Sequence, residues 1–151
     1  MSKARLKSKN ILGIAEGGTG ATSMGAAAVG AVAQIAGIPT GAVVETGSNA
    51  NGRYTKWADG TMICEFSSAS TFTTSNAFGP IYQSGAAAYT FPVAFVGTIP
   101  TVVPVVFDST GALCWAAISG APSLTGVSLA ALSVINTATT KPGYIAKGRW
   151  F

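Results

Sequence analysis

The most apolar stretch of the chain, YTFPVAFVGTIPTVVPVVF, covers residues 89–107 and is about as long as a membrane-spanning helix. Three prolines interrupt it, Pro92, Pro100 and Pro104. A proline inside a helix removes a backbone donor and clashes with the preceding turn, so this stretch cannot form a regular helix. Its valines, threonines and phenylalanines favour β-strands instead, and the sequence predicts an all-β protein.

Within this stretch the sequence predicts two strands, residues 89–95 and 101–107, separated by a turn at 97–100. Pro104 cannot donate to a strand ladder, so the second strand is expected at a sheet edge or at a bulge. Short apolar runs with turn signals between them continue to the end of the chain. This spacing is typical of an antiparallel β-sandwich of short strands.

A hairpin is predicted upstream of this stretch. Residues 53–57 and 61–66 are rich in strand formers, and the Asp59-Gly60 step between them can adopt the positive φ angles of a tight turn. Further strands are predicted at residues 42–45, 113–118, 124–135 and 144–151. Turns, loops or flexible segments are predicted at residues 38–41, 46–52, 85–88 and 136–141.

The last predicted strand shows the clearest alternation. One face carries Tyr144, Ala146, Gly148 and Trp150, and the other carries Ile145, Lys147, Arg149 and Phe151. The two aromatic residues at the end of the chain indicate that the C-terminus is held against the domain.

Charged residues make up 9% of the chain and apolar residues 48%. A small soluble monomer needs more charged surface than this to stay dispersed, so we expect another chain to cover much of the surface. The net charge of +4 arises from Lys3, Arg5, Lys7 and Lys9. The remainder is near neutral, which excludes a broad basic face for nucleic acid.

The first 46 residues differ from the rest in composition. Residues 1–10 are basic and polar and predict a disordered leader. Residues 11–46 are rich in Gly and Ala and predict a threaded linker or a short helix. The apolar residues at helical spacing are Met24, Ala28, Val29 and Val32. A signal peptide is the alternative, but Glu16 and a Gly-Gly pair interrupt the region that would be its apolar core.

Cys64 and Cys114 each lie in an apolar, strand-like run. Free cysteine behaves as a small buried apolar residue, and the reducing interior of a cell keeps thiols reduced. The sequence therefore predicts two free thiols, with a disulfide between them as the alternative.

The residues needed for most catalytic and metal sites are missing from the sequence. There is no histidine, which removes the usual general base and the commonest transition-metal ligand. The cysteines lack zinc-site spacing, and no phosphate-binding glycine loop is present. The acidic residues are scattered, and nothing in the sequence places two of them across a glycosidic bond. They are Glu16, Glu45, Asp59, Glu65 and Asp108. We expect no enzyme activity, no cofactor and no metal.

Four segments, in this order and spacing, resemble the C-terminal region of tail fibres of tailed bacteriophages and prophages. They are EGGTGATSMGAAAVGAVAQ at residues 16–34, GSNANGRYTKWADGTMIC at 47–64, YTFPVAF followed by PTVVPVV within 89–106, and GYIAKGRWF at 143–151. The resemblance covers most of residues 10–151.

This resemblance implies a homotrimeric, mostly β receptor-binding tip. Residues 11–46 would be the linker or trimerisation segment and residues 47–151 the β-sandwich, with an architecture similar to that of H-type lectins. The resemblance also implies a virion protein, assembled in the host bacterial cytoplasm and attached to the rest of the tail fibre or the baseplate. The implied receptor is a lipopolysaccharide glycan or an outer-membrane protein of the bacterial surface.

Binding specificity on a rigid β scaffold tends to lie in the connecting loops. The receptor-binding candidates are therefore polar residues of the predicted connections, with one aromatic ring that can stack on a sugar. They are Asn76, Tyr82, Gln83, Asp108, Ser109, Thr110, Asn136, Thr139 and Lys141. Tyr89, Trp115 and Trp150 are further rings, for which core or interface packing is the simpler role.

Two other functions stay open from the sequence. One is a structural trimerisation or attachment module of the virion, without receptor specificity of its own. The other is a tip that cleaves polysaccharide.

Overall fold

The computed structural model describes residues 28–108 and 111–151, and this part of the chain is almost entirely β-structure. The strands are β1 (Gln34–Ile35), β2 (Ile38–Pro39), β3 (Val44–Asn49), β4 (Gly52–Trp57), β5 (Thr61–Ser67), β6 (Phe72–Thr73), β7 (Asn76–Phe78), β8 (Ile81–Thr90), β9 (Thr101–Asp108), β10 (Cys114–Ile118), β11 (Gly126–Ser133) and β12 (Thr139–Arg149). The all-β prediction is confirmed. In the described ranges no helix is long and apolar enough to cross a membrane.

The chain divides into two compact units. The N-terminal unit comprises Met1–Glu45 and Trp57–Asp59, and the sandwich unit comprises Thr46–Lys56 and Gly60–Phe151. The predicted disordered leader and residues 11–27 of the Gly/Ala-rich segment, Met24 included, lie outside the described residues.

The described part of the N-terminal unit is held mainly by backbone hydrogen bonds. Strands β1 and β2 form a two-stranded hairpin, so Ile38 and Pro39 are strand residues and not the turn that was predicted. The turn lies instead at Ala36 and Gly37, which both have positive φ angles. Val29 forms a bridge to Val44, so it is extended and not helical. Isoleucine side chains of the hairpin are about 70% exposed, so this small unit has little core of its own.

Two antiparallel sheets make up the sandwich. The four-stranded sheet has the order β10-β11-β8-β7. The six-stranded sheet has the order β3-β4-β5-β12-β6, with β9 paired to the other side of β12. Strand β12 is therefore the central element, because β5 and β6 pair with one of its edges and β9 with the other.

The core lies between the two sheets. Its buried members are Met62, Cys64, Phe91, Phe95, Val127, Leu129, Tyr144 and Ala146. Tyr144 is fully buried, and its ring packs edge-on against Phe91 with centroids 5.2 Å apart. The residues of β12 alternate as predicted, since Tyr144 and Ala146 are buried whereas Ile145 and Lys147 face outward. The hairpin of β4 and β5 is confirmed as well, with Gly60 at φ 90° in its turn.

Strand β9 lies at the sheet edge, as Pro104 predicted. Ser68 donates its backbone N–H to the Pro142 carbonyl at 3.0 Å, so the polar backbone groups of Pro142 face β5 and not β9. Pro142 is opposite Val106, and Tyr144 is opposite Pro104 two residues further along. Because hydrogen-bonded pairs alternate in an antiparallel ladder, the Pro104 nitrogen faces the open edge of β9. Proline at this position therefore costs no hydrogen bond and leaves no donor for another strand there.

The strand predicted at residues 89–95 is wrong beyond Thr90. Residues 91–95 are irregular, and β8 ends at Thr90. Both Phe91 and Phe95 turn into the core, with ring centroids 5.2 Å apart. Their backbone N–H groups donate to the carbonyls of Thr125 and Leu124 in the loop before β11.

Three loop predictions are wrong in part. β3 continues through Asn49, residues 85–88 belong to β8, and β12 begins at Thr139. In each case the neighbouring strand supplies the hydrogen-bond partners. Thr140, for example, lies opposite both Phe72 of β6 and Asp108 of β9. Small and polar residues are typical of loops, and pairing with a neighbouring strand holds them in the sheet here.

Candidate functional site

Most of the described candidate residues lie at one end of the sandwich. At this end β9 and β11 finish and β8, β10 and β12 begin. Asp108 ends β9 opposite Thr140, and Thr139 and Lys141 flank Thr140 in β12. Asn136 is exposed in the link between β11 and β12. Ser109 and Thr110 lie outside the described residues.

The other three candidates lie on the β7–β8 hairpin. Asn76 is opposite Gln83, and Ala77 is opposite Tyr82. Tyr82 is in turn opposite Ser133, the last residue of β11. Six of the candidates are thus strand residues and not loop residues as predicted, because β7 pairs with β8 and because β8, β9 and β12 extend further than their sequence suggested. They are Asn76, Tyr82, Gln83, Asp108, Thr139 and Lys141.

A buried threonine holds the link between β11 and β12 in place. The Thr74 hydroxyl is fully buried, 3.0 Å from the Ile135 carbonyl and 3.4 Å from the Ala138 carbonyl. The Thr74 backbone also pairs with this link, since its N–H donates to Ala138 and its carbonyl accepts from Thr137. Thr137 has φ 65°, a conformation that a β-branched residue rarely adopts and that costs about 1–3 kcal/mol. The link is therefore fixed in one strained shape.

A buried serine joins this link to the start of β10. The Ser133 hydroxyl donates to the Leu113 carbonyl at 2.9 Å and accepts from the Ile135 N–H at 3.0 Å. Asp108 holds the loop between β9 and β10 from its other end, because its carboxylate accepts a hydrogen bond from the Ala112 N–H. Burial raises the pKa of the nearby Cys114 thiol, and the negative charge of Asp108 raises it further.

These anchors display apolar side chains that the sequence analysis missed. Leu113 is 76% exposed, Val134 51% and Ile135 49%. We call Leu113, Val134, Ile135 and Asn136 the end surface. Three of its four residues are aliphatic, whereas the sequence analysis considered polar loop residues and aromatic rings. The available signal is an apolar residue next to a predicted loop on each side, at 113 and at 134–135, at the ends of the strands predicted at 113–118 and 124–135.

A groove lies on the outer side of the six-stranded sheet. It has a volume of about 540 Å³ and is lined by the β3–β4 turn, Phe66, Val105, Phe107 and Ile145, among others. Gly143 lies opposite both Ser67 and Val105, and a Cβ atom there would clash with the Phe66 carbonyl oxygen, so the strands approach too closely for a side chain at this position. Most of the groove wall is apolar. The charges at its rim belong to Arg53 and Glu65, which pair with each other at 3.7 Å.

Two buried ionisable groups lie in the core. Burial raises the pKa of the Cys64 thiol to about 11 and raises the pKa of Tyr144 as well. Cys64 and Cys114 are both free thiols, as predicted. The described residues contain no group of three or more His, Cys, Asp or Glu side chains that could hold a metal ion.

The chain matches no protein-family model, and no curated protein matches its sequence. Its fold is similar to that of solved tail-fibre structures. The structure of an N-truncated R1-type pyocin tail fibre superposes with a TM-score of 0.54 at 20% identity, over 70% of this chain and 84% of that one. A P. aeruginosa R1 pyocin fibre comprising C-terminal residues 323–701 superposes with a TM-score of 0.53 at 18% identity, over 92% of this chain and 35% of that one. This chain therefore has the fold of the C-terminal part of an R1 pyocin tail fibre.

Proposed function

We propose that this chain is the tip of a phage-type tail fibre and binds a receptor on the bacterial surface during adsorption. The observation that carries this proposal is the fold it shares with R1 pyocin tail fibres. In this role the chain is a virion component that attaches to the rest of the fibre or to the baseplate. Its receptor is a lipopolysaccharide glycan or an outer-membrane protein.

The end surface is the part of the sandwich that we assign to the receptor. The hydroxyls of Thr74 and Ser133 hold its loops in one shape, which lowers the entropy cost of binding. The chain leaves the sandwich unit at Lys56 and returns at Gly60. The Gly60 carbonyl accepts a hydrogen bond from the N–H of Trp150, which follows the last residue of β12. The end surface lies around the first residues of β12. The end surface therefore lies at the opposite end from this entry point.

We further propose that the tip is a homotrimer. The chain has 9% charged residues, and many large apolar side chains of its described part are exposed. Apolar surface of this extent in a small protein is usually covered by another chain.

The acids of the sandwich unit have structural partners, which supports a tip that binds without cleaving. Glu65 pairs with Arg53, and Asp108 accepts from the backbone of the loop that follows β9. Glycoside hydrolysis needs two carboxyl groups that are available to the scissile bond. We therefore propose a binding protein and not an enzyme.

The proposal is tested by binding of fluorescently labelled protein to a panel of Gram-negative strains. We expect saturable binding to some strains and its loss in Ile135→Asp, which places a charge on the end surface. The matched control is Ile99→Asp, because Ile99 is similarly exposed, at 58%, in the connection between β8 and β9. The control is expected to bind like the parent chain.

Equal binding by both variants would remove the end surface from the proposal. Absence of binding to every strain, by a chain that still assembles into fibres, would instead support the structural attachment module. Treating purified lipopolysaccharide with the protein and measuring released reducing ends tests cleavage, and we expect none.

A further inference from the structure

The two outer faces of the sandwich differ in charge. The strands of the four-stranded sheet read NAF, IYQSGAAAYT, GVSLAALS and CWAAI, and they contain no charged residue. The six-stranded sheet carries Arg53, Glu65, Lys141, Lys147 and Arg149 on outward-facing positions, and its strands also contain Glu45, Lys56 and Asp108. The outer face of the four-stranded sheet therefore lacks the charged side chains that the outer face of the other sheet carries.

The outward side of the four-stranded sheet is a flat arrangement of two rows. Val127 and Leu129 of β11 are in the core, so Ala130 and Leu132 lie on the other side of the sheet, where neighbouring side chains leave them 6% and 8% exposed. The register places Leu132 between Trp115 and Gln83, and Gln83 opposite Asn76. A bulge in β8 keeps Gln83 on the same side as Ala86. The second row is Ala117, Ala130 and Ala86.

We call this surface the uncharged face and define it by Asn76, Gln83, Ala86, Trp115, Ala117 and Ala130. Trp115 is 42% exposed on it, and Ala86 is exposed beside the tryptophan row. Aromatic side chains are enriched where proteins meet, and charged residues are depleted at the centre of such contacts. Of the alanines, Ala86 is exposed, Ala117 is half-buried and Ala130 is buried, and their small side chains keep this row low enough for a flat partner to approach.

The groove on the six-stranded sheet is the second apolar surface of this unit. Phe107 is 61% exposed at it and Ile145 45%, and Val103 beside them on β9 is 54% exposed. Pro104 removes a donor from the free edge of β9, so a partner at this site packs on side chains more readily than it adds a strand. The groove and the uncharged face belong to different sheets of the sandwich.

We propose that the uncharged face of one copy of this chain packs into the β9 groove of the next copy. This inference rests on the homotrimer in the proposed function. Copies related by a three-fold axis meet through two different surfaces of each chain, because a self-complementary contact closes with two copies. The uncharged face and the groove are two such surfaces, and the uncharged face brings no charge of its own to the contact. Asn76 and Gln83 would then contact a second copy and not the receptor.

The test uses two variants of the whole chain and measures mass by sedimentation velocity over a concentration series. Ala86→Glu places a charge on the uncharged face, and Phe107→Glu places one in the groove. Each is expected to raise the concentration for half-assembly by at least about 100-fold, because a buried, unpaired charge is strongly unfavourable. The control, Ile99→Glu, lies on neither surface and is expected to assemble like the parent chain. Circular dichroism and thermal melting confirm that each variant folds.

The decisive sample is a mixture of the two variants. Ala86→Glu keeps its groove and Phe107→Glu keeps its uncharged face, so the proposal predicts a one-to-one heterodimer of twice the 15.1 kDa chain mass. Failure of the mixture to pair would overturn the proposal, as would normal assembly of either variant alone. Normal assembly of Ala86→Glu together with loss of cell binding would assign the uncharged face to the receptor instead.

A monomeric parent chain would overturn this inference and the trimer together. Receptor binding would still be judged separately, from the labelled-cell measurement with the parent chain and Ile135→Asp.

Discussion

The Ser133 hydroxyl donates to the Leu113 carbonyl at 2.9 Å, and this contact joins the end of β11 to the start of β10. Ser133 is fully buried, and its oxygen also accepts from the N–H of Ile135. One small side chain therefore satisfies polar backbone groups of two loops at the end surface. Its loss leaves both groups without this partner.

Ser133→Ala is expected to lower the free energy of unfolding by about 1–3 kcal/mol, because the Leu113 carbonyl and the Ile135 N–H each lose a partly buried hydrogen bond. Urea unfolding followed by tryptophan fluorescence measures the change. The control is Ser119→Ala, because Ser119 is exposed just after β10. Its stability is expected to stay within about 0.5 kcal/mol of the parent chain. A Ser133→Ala chain as stable as the control would contradict the anchoring role.

Tyr144→Phe tests the hydroxyl at the centre of the core. This hydroxyl lies 3.1 Å from the Asn51 carbonyl and 3.3 Å from the Thr90 carbonyl. Removing it while keeping the ring is expected to cost about 1–3 kcal/mol of unfolding free energy. Tyr144→Ala, which also removes the ring from the aromatic cluster, is expected to cost about 3–5 kcal/mol. Chemical denaturation of both variants separates the hydrogen bond from the packing, and equal losses would contradict this division.

Stability is expected to fall at alkaline pH because of Cys64. Its burial raises the pKa of the thiol from 9.0 to about 11, so between these values the unfolded chain loses a proton that the folded chain keeps. The contribution of this thiol is complete below about pH 9 and is lost as the pH rises to about 11. Melting temperatures measured from pH 7 to pH 11 follow the effect.

Cys64→Ala is the control for this alkaline loss and is expected to flatten the curve. Some slope remains, because burial also raises the pKa of Tyr144 and of Tyr89. A Cys64→Ala curve parallel to that of the parent chain would show that the thiol does not contribute.

Gly148→Ala tests how closely Phe95 packs on β12. A Cβ atom at Gly148 would lie 2.7 Å from the Phe95 ring and 3.2 Å from Pro100, and both residues are buried. The added methyl group is expected to cost about 1–3 kcal/mol through overpacking. Differential scanning calorimetry measures the change. The double variant Gly148→Ala/Phe95→Leu is expected to recover part of the loss, and additive losses would count against this contact.

The alternation in β12 could be predicted from sequence because it depends only on the period of a strand. Tyr144 and Ala146 face one side whatever the neighbours are, and the apolar side is buried. The Asp59-Gly60 turn and the position of Pro104 at an edge were predictable for the same reason. Each depends on the local chemistry of one or two residues.

The end surface could not be predicted, because its residues come together only through strand pairing. Leu113 and Ile135 lie 22 positions apart in the sequence, and they meet because the register of β10 on β11 places Cys114 opposite Ser133. No pattern in the sequence predicts that register. The same applies to Thr74, a threonine in a polar stretch that becomes a fully buried anchor for a distant loop.

The sequence by itself determined a β-rich chain with its strands, its main hairpin and a surface poor in charge. These follow from local backbone preferences and from composition, which any short window of residues expresses. The tertiary structure alone decided that one outer face of the sandwich carries no charge and that strained, anchored loops display aliphatic side chains at one end. Both properties depend on which strands are neighbours, and contacts between residues far apart in the chain set that order.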